Sequence, residues 1–330
     1  MTVLEVQDLT VTFHTGRGTV TALHGVDLTL PTGRVTGLVG ESGCGKTVTA
    51  LAVMRLLRPP GEIRGGRVLL GGQNLLALSE REMDRVRGGC IAMIFQQPRA
   101  SLNPVFPVAA QLTHVLRLHR GLSGRAAWAE GEALLARAQL PRPERVMRAY
   151  PHQLSGGMCQ RVMIALALAC RPSVLLADEP TTALDVTVQL QIIELLKSLQ
   201  QELGLTVLLI THDLGLVAEM CDFVSVMYAG RIVEAAPVST LFRRPLHPYT
   251  RGLMASRMRA GSRALPAGIP GRIPDLHQMP PGCPFHPRCP LAQGLCAERD
   301  AAPETVDGGD PAAAGGARMV RCHFWGRGVA

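Results

Sequence analysis

The chain has 330 residues, of which 34 are basic and 26 acidic, giving a formal net charge of +8; 47% of residues are hydrophobic and only 4% aromatic. This length can bury one large core or two ordinary ones, and the longest uninterrupted apolar run, residues 162–170, is far shorter than the roughly 20 residues that cross a bilayer. The opening MTVLEVQDLT has no basic leader followed by an apolar stretch and a cleavage site, so export is not expected, and the arginines are scattered rather than gathered into a nucleic-acid-binding block.

Residues 3–14 and 20–30 alternate apolar and polar side chains and are expected to form antiparallel strands joined through Gly16 and Gly18. The next stretch, VTGLVGESGCGKTVTAL at 35–51, fits the phosphate-loop pattern G-x-x-x-x-G-K-[ST] between a strand and a helix expected over 48–57. Gly40, Gly43 and Gly45 let the backbone fold tightly, so the N–H groups of Gly40, Glu41, Ser42, Gly43, Cys44, Gly45 and Val48 can serve an anion cradle. Lys46 would neutralise the β- and γ-phosphates of a nucleoside triphosphate, and Thr47 would offer its hydroxyl to Mg2+. Lys46 and Lys197 are the only lysines. A chain that otherwise uses arginine has kept lysine inside the loop.

A short strand is expected at 67–70, and IAMIFQQP at 91–98 is expected to be a buried strand ending at a proline. Helical patterns follow at 108–119 and 124–139, so an inserted helical subdomain is expected over about 98–160. A helix at 160–169, buried strands at 173–180 and 206–213 and a helix at 186–203 then alternate as in a parallel α/β core. No internal repeat is visible, which implies a single nucleotide-binding unit. Beyond residue 243 prolines and glycines increase, so residues 1–243 are expected to form the nucleotide-binding domain and 244–330 a C-terminal extension, with 303–317 a mobile loop.

Two further motifs carry chemistry. VLLADEP ends an apolar strand on Asp178, a magnesium ligand, and Glu179, a general base for the attacking water. LSGGMCQR at 154–161 puts the N–H groups of Ser155, Gly156 and Gly157 before a helix as a second anion site, although one nucleotide needs one cradle. In these motifs the sequence closely resembles the ATP-binding-cassette (ABC) ATPases over roughly residues 3–255. The resemblance implies a phosphate-loop α/β fold with an antiparallel β subdomain and an inserted helical subdomain. It implies ATP hydrolysis at sites shared by two ATPase subunits, identical or homologous, with the LSGG signature of one closing over the phosphate loop of the other. It assigns Phe13 to adenine stacking, Gln96 rather than its neighbour Gln97 to the magnesium and the attacking water, Ala183, Leu184 and Asp185 to communication across the dimer, and His212 to the γ-phosphate. Val48 stands where many members place a hydroxyl residue.

RRPLHPYTRGLM at 243–254, GESGCGKTVTALAVM, SLNP, ALDVTVQ and THDLGLVAE resemble the ATPase subunits of dipeptide and oligopeptide importers. That resemblance implies two transmembrane permease partners, an extracytoplasmic solute-binding protein and a place on the cytoplasmic face of the cell's inner membrane, with no nucleic-acid partner. The competing reading is a soluble cassette ATPase acting on nucleic acid or ribosomes. Cys283, Cys289, Cys296 and Cys322 crowd the tail at C-x5-C-x6-C-x25-C spacing, and four thiolates can hold zinc or an iron–sulfur cluster. The missing C-x2-C pairs and the resemblance favour [4Fe–4S] over Zn2+, with His286 and His323 as second-choice ligands; unliganded thiols are the third alternative.

Overall fold

The structure, a computed structural model, describes residues 2–182, 184–256, 268–306 and 318–326. Two compact units are present, residues 1–76 with 211–330 and residues 77–210.

The first unit opens with β1 (Thr2–Thr15) and β2 (Gly18–Pro31), which pair antiparallel across the turn from Thr15 to Gly18. β3 (Val35–Val39) is wholly buried and leads into α1 (Lys46–Val53). This helix is shorter than the expected 48–57 and starts earlier. Gly45 launches it, and Arg55, at φ 51, has left the helical region soon after its last turn. β4 (Gly61–Leu70) and β5 (Gln73–Asn74) complete a sheet of order β2-β1-β4-β5. The expected strand at 67–70 is only the end of β4, whose first half, GEIRGG, hides its alternation behind glycines.

The second unit contains α2 (Glu80–Val86), β6 (Ile91–Ile94), α3 (Pro98–Ser101), α4 (Val108–Arg120), α5 (Gly124–Arg137), α6 (Pro143–Arg148), α7 (Gly156–Leu168), β7 (Val174–Asp178), α8 (Val186–Leu203) and β8 (Thr206–Thr211). β6, β7 and β8 run parallel, with Met93 opposite Leu176 and Leu176 opposite Leu208. All their residues are buried, as strands covered on both faces must be. A helical core of Leu112, Leu116, Leu135, Met147 and Val162 gathers α4 to α7.

The chain then returns to the first unit through α9 (Leu214–Met220), β9 (Phe223–Tyr228), β10 (Arg231–Pro237), α10 (Val238–Arg243) and α11 (Pro248–Ala255). A short helix, α12 (Gly294–Glu298), precedes β11 (Glu304–Val306) and β12 (Arg318–Val320). β9 lies parallel to β3 and antiparallel to β10, and β12 pairs with β10 through Glu234 opposite Val320. Residues 307–317, most of the expected mobile loop, lie outside the described residues. Tyr249 and Phe285 pack into the same core as Val39, Val226 and Tyr228. The segment after residue 243 is thus built onto the strand that precedes the phosphate loop.

Candidate functional site

Residues 40–46 connect β3 to α1. Gly40 is required by close approach, because a Cβ there would lie 2.2 Å from the Met227 carbonyl oxygen and 2.7 Å from Cys44 Sγ. Gly45, at φ +113, takes a left-handed conformation that only glycine adopts readily. Ser42 and Gly43 are exposed, while Cys44 is buried, which pushes its thiol up. Lys46 is only 5% exposed and turns its ammonium back on its own loop, Nζ donating to the carbonyl oxygens of Gly40 at 2.8 Å and Glu41 at 3.0 Å. Thr47 is exposed in the first turn of α1, and Val48 behind it is half-buried.

Glu41 is held from the C-terminal segment. Its N–H donates to the Tyr249 hydroxyl at 2.8 Å, and its carboxylate receives both guanidinium nitrogens of Arg288, at 2.7 and 3.0 Å. The motif reading quoted Tyr249 only within the 243–254 segment, did not mark Arg288, and took Glu41 only as a contributor to the cradle. In the same unit, Phe13 is half-buried on β1 against Gly61, where a Cβ would meet its Cε1 at 2.8 Å. His212 is exposed in the link between β8 and α9, just before Asp213, which caps α9.

In the second unit, Asp178 ends β7 and is 2% exposed. Glu179 follows at φ 45, a conformation uncommon for a residue with a side chain. Its N–H donates to the Ile210 carbonyl at 2.9 Å, and its carboxylate accepts from Gln96 Nε2 at 2.9 Å and from Thr182 Oγ1 at 2.7 Å. The structure therefore brings Gln96 to Glu179, whereas Gln97 caps α3 and its carbonyl accepts from the Ser101 hydroxyl. Thr182 escaped the sequence reading; its only signal was a hydroxyl three residues after a strand-end glutamate.

Ser155 caps α7 through a hydroxyl that accepts from the Met158 N–H at 3.3 Å. Gly157 packs so closely on α8 that a Cβ would lie 2.8 Å from Val188 Cγ1, and Gly156 faces Leu184. Asp185 caps α8, accepting from the Val188 N–H at 3.0 Å; Ala183 lies outside the described residues. The LSGG segment and the 184–185 turn are thereby packed onto each other.

Cys283, Cys289, Cys296 and Cys322 all line one cavity of about 20 Å³, with His286 and His323 also at its wall. That space suits one water-sized guest. Burial pushes the Cys283 thiol up to about 12 and also raises those of Cys289 and Cys322. His286 Nδ1 is paired with the Cys283 carbonyl and His323 Nε2 with the Arg299 carbonyl. Among the described residues no group of three or more His, Cys, Asp or Glu side chains stands so as to hold a metal ion. The expected four-cysteine ligand set therefore converges on one cavity without closing into a coordination sphere among the described residues.

The ABC transporter family model matches residues 23–182, and a model described as the C-terminal region of oligopeptide/dipeptide transporters matches residues 233–296. The oligopeptide transport ATP-binding protein OppD of Salmonella typhimurium is 50% identical over 294 residues, covering 89% of this chain and 88% of that one. The chain belongs to the ABC transporter ATPases, in their oligopeptide/dipeptide branch. The dipeptide transport ATP-binding protein DppD of Bacillus subtilis is 47% identical over 298 residues, with 89% and 88% of the two chains covered. Among solved structures, the ATP-binding cassette MJ0796, a dimer in a post-hydrolysis state bound to ADP and phosphate, superposes with a TM-score of 0.64 at 30% identity, covering 71% of this chain and 98% of that one. As an ABC ATPase the chain binds and hydrolyses ATP. Among the described residues no helix is long and apolar enough to cross a membrane.

Proposed function

We propose that this ABC ATPase supplies the energy for peptide uptake by an importer: two ATPase subunits close on ATP, drive two transmembrane permeases from the cytoplasmic face of the membrane, and are reset by hydrolysis. The hydrogen bond from Gln96 to Glu179 carries this reading. It joins the carboxylate suited to polarising water to the segment that leads into the helices at 98–148, so the state of the base and the pose of those helices can be linked. Lys46 and the loop N–H groups would hold the triphosphate, Phe13 the adenine ring, and His212 the γ-phosphate. The hydroxyl of Thr47, the carboxylate of Asp178 and the amide oxygen of Gln96 are hard oxygen donors that suit Mg2+. The ion would offset charge developing on the transferred phosphoryl group. Ser155, Gly156 and Gly157 would serve the partner subunit's ATP, and residues 183–185 would report across the dimer.

The relatives are named for peptide transport, which favours peptides as cargo over a nickel complex or glutathione, and an importer over an ATPase acting on nucleic acid or ribosomes. An extracytoplasmic solute-binding protein would select the cargo. In proteoliposomes carrying the permeases, Glu179→Gln should still bind Mg-ATP but lose turnover by about 10²- to 10⁴-fold. Undiminished turnover would contradict the assignment of the base.

The convergence of the four cysteines on one cavity supports a structural metal there, and their spacing without C-x2-C pairs favours [4Fe–4S] over Zn2+; a cluster would need the water-sized space between the thiols to widen. Iron quantitation and a visible absorption spectrum of anaerobically purified protein should show cluster iron. Stoichiometric zinc without iron would sink the cluster.

A further inference from the structure

The phosphate loop and the C-terminal segment meet at Glu41. Three of this residue's polar groups are engaged: the N–H by Tyr249, the carbonyl by Lys46 and the carboxylate by Arg288. Arg288 is itself fixed before it reaches the loop. It is 7% exposed, its Nε donates to the Pro270 carbonyl at 2.8 Å, and its guanidinium lies 5.8 Å from the Tyr228 ring centroid and 6.0 Å from that of Phe285. Tyr249 is fully buried, its ring tilted against Tyr228 with centroids 4.6 Å apart and edge-on to Phe285 at 5.3 Å. Both contacts on Glu41 therefore come from rigid, desolvated groups whose geometry is set by the segment after residue 243.

The charge matters as much as the contact. Glu41 places a carboxylate, 31% exposed, on a loop whose task is to bind a polyanion. Left alone it would repel the triphosphate, while a bidentate guanidinium cancels it at a fixed distance. Lys46 is tied to the same residue through the Glu41 carbonyl, so a displacement of Glu41 displaces the acceptor that positions the phosphate-binding lysine.

We propose that Arg288 and Tyr249 are positioning residues for ATP binding: acting through Glu41, they hold the phosphate loop in its binding shape and neutralise its one acidic side chain. Nucleotide affinity is thereby set from the C-terminal segment. This rests on the ATP-binding reading of the loop and adds to it a control point outside the nucleotide-binding motifs.

The test is Mg-ATP binding to the full chain by calorimetry, with thermal melting of each variant in parallel. Arg288→Met should weaken Mg-ATP by about tenfold while turnover at saturating ATP stays within about twofold of wild type. Adding Glu41→Gln to Arg288→Met removes the uncancelled carboxylate and should bring affinity back to within about threefold of wild type, a rescue that a purely structural role of Arg288 does not give. Tyr249→Phe keeps the ring and loses only the hydroxyl; it should weaken binding by about threefold. Unchanged affinity in folded Arg288→Met, or no recovery in the double variant, overturns the proposal. If Arg288→Met does not fold, wild-type affinity in Tyr249→Phe overturns it instead. Failure of the wild-type chain to bind Mg-ATP would refute the ATPase reading, a result distinct from any of these.

Discussion

His24 illustrates how much one side chain can be governed by its surroundings. It lies on β2, where its backbone N–H donates to the Gly230 carbonyl at 2.9 Å, and its ring Nε2 is buried with no hydrogen-bond partner among the described residues. Burial, with Arg231 nearby, lowers its pKa to about 4, against smaller opposing pulls from a backbone hydrogen bond at Thr21 and from Asp300. The folded protein thus disfavours the protonated ring relative to the unfolded chain, where the ordinary value is 6.5. Its contribution is intact above pH 6.5, is lost as pH falls from 6.5 toward 4, and changes no further below that. The loss should be on the order of 1 kcal/mol after allowance for the ring's partial exposure. Melting at pH 7.5 and pH 4.5 checks it: His24→Asn should show a smaller fall in Tm between the two than wild type. Nothing in the sequence marks His24, because a lone histidine on an alternating strand is silent about what covers it. Lys46, Asp178 and Glu179 were legible because each sits in a fixed position relative to an apolar strand. Arg288 was not, because its partner lies 247 positions away and it stands inside a cysteine pattern that draws attention to thiols.

α7 and α8 show what an element reveals and what it conceals. The apolar period placed the first of these at 160–169, yet the helix begins at Gly156, because the Ser155 cap starts it ahead of its apolar face. The glycines of the cap region have a packing reason that the sequence does not display. Replacing Gly157 by alanine should favour the helix by up to about 1 kcal/mol through backbone entropy. The added methyl, however, meets Val188 Cγ1 at 2.8 Å, and overpacking of that kind costs about 1–3 kcal/mol. Gly157→Ala should therefore destabilise the full chain by about 1 kcal/mol in chemical denaturation, and Val188→Ala placed beside it should recover most of the loss. Continuous buried strands such as β6, β7 and β8 were the easiest elements to place, since no competing period exists in them. At 223–237 the sequence reading assigns nothing, yet β9 and β10 form there. Apart from the half-buried ends of β10, Arg231 and Pro237, their residues are buried on both faces, which erases the alternation that would have announced them.

Across the whole molecule, the change of composition near residue 243 marks where regular elements thin out, but the chain beyond it shares the core of the phosphate-loop unit. Glu234 on β10 is fully buried, accepts from the N–H groups of Leu246 and His247 at 2.9 Å each, and pairs with Arg318 at 3.3 Å. Arg318 also donates to the Arg244 carbonyl. Such a buried pair is strongly destabilised when one partner is removed, so it fastens the tail to the sheet rather than decorating it. This could not be read from the sequence, because Pro- and Gly-rich composition looks the same whether a segment hangs free or is bolted down. The arginine-rich composition has one further consequence, in covalent chemistry. Of the two lysines, Lys197 is exposed on α8, whereas the Lys46 amine is buried and engaged by two carbonyls. Amine-directed acylation of the folded protein will therefore pass over the phosphate-binding lysine and, besides any terminal α-amine, mark Lys197 on α8, so a surface tether or dye can be installed through that chemistry while the nucleotide loop is left unmodified.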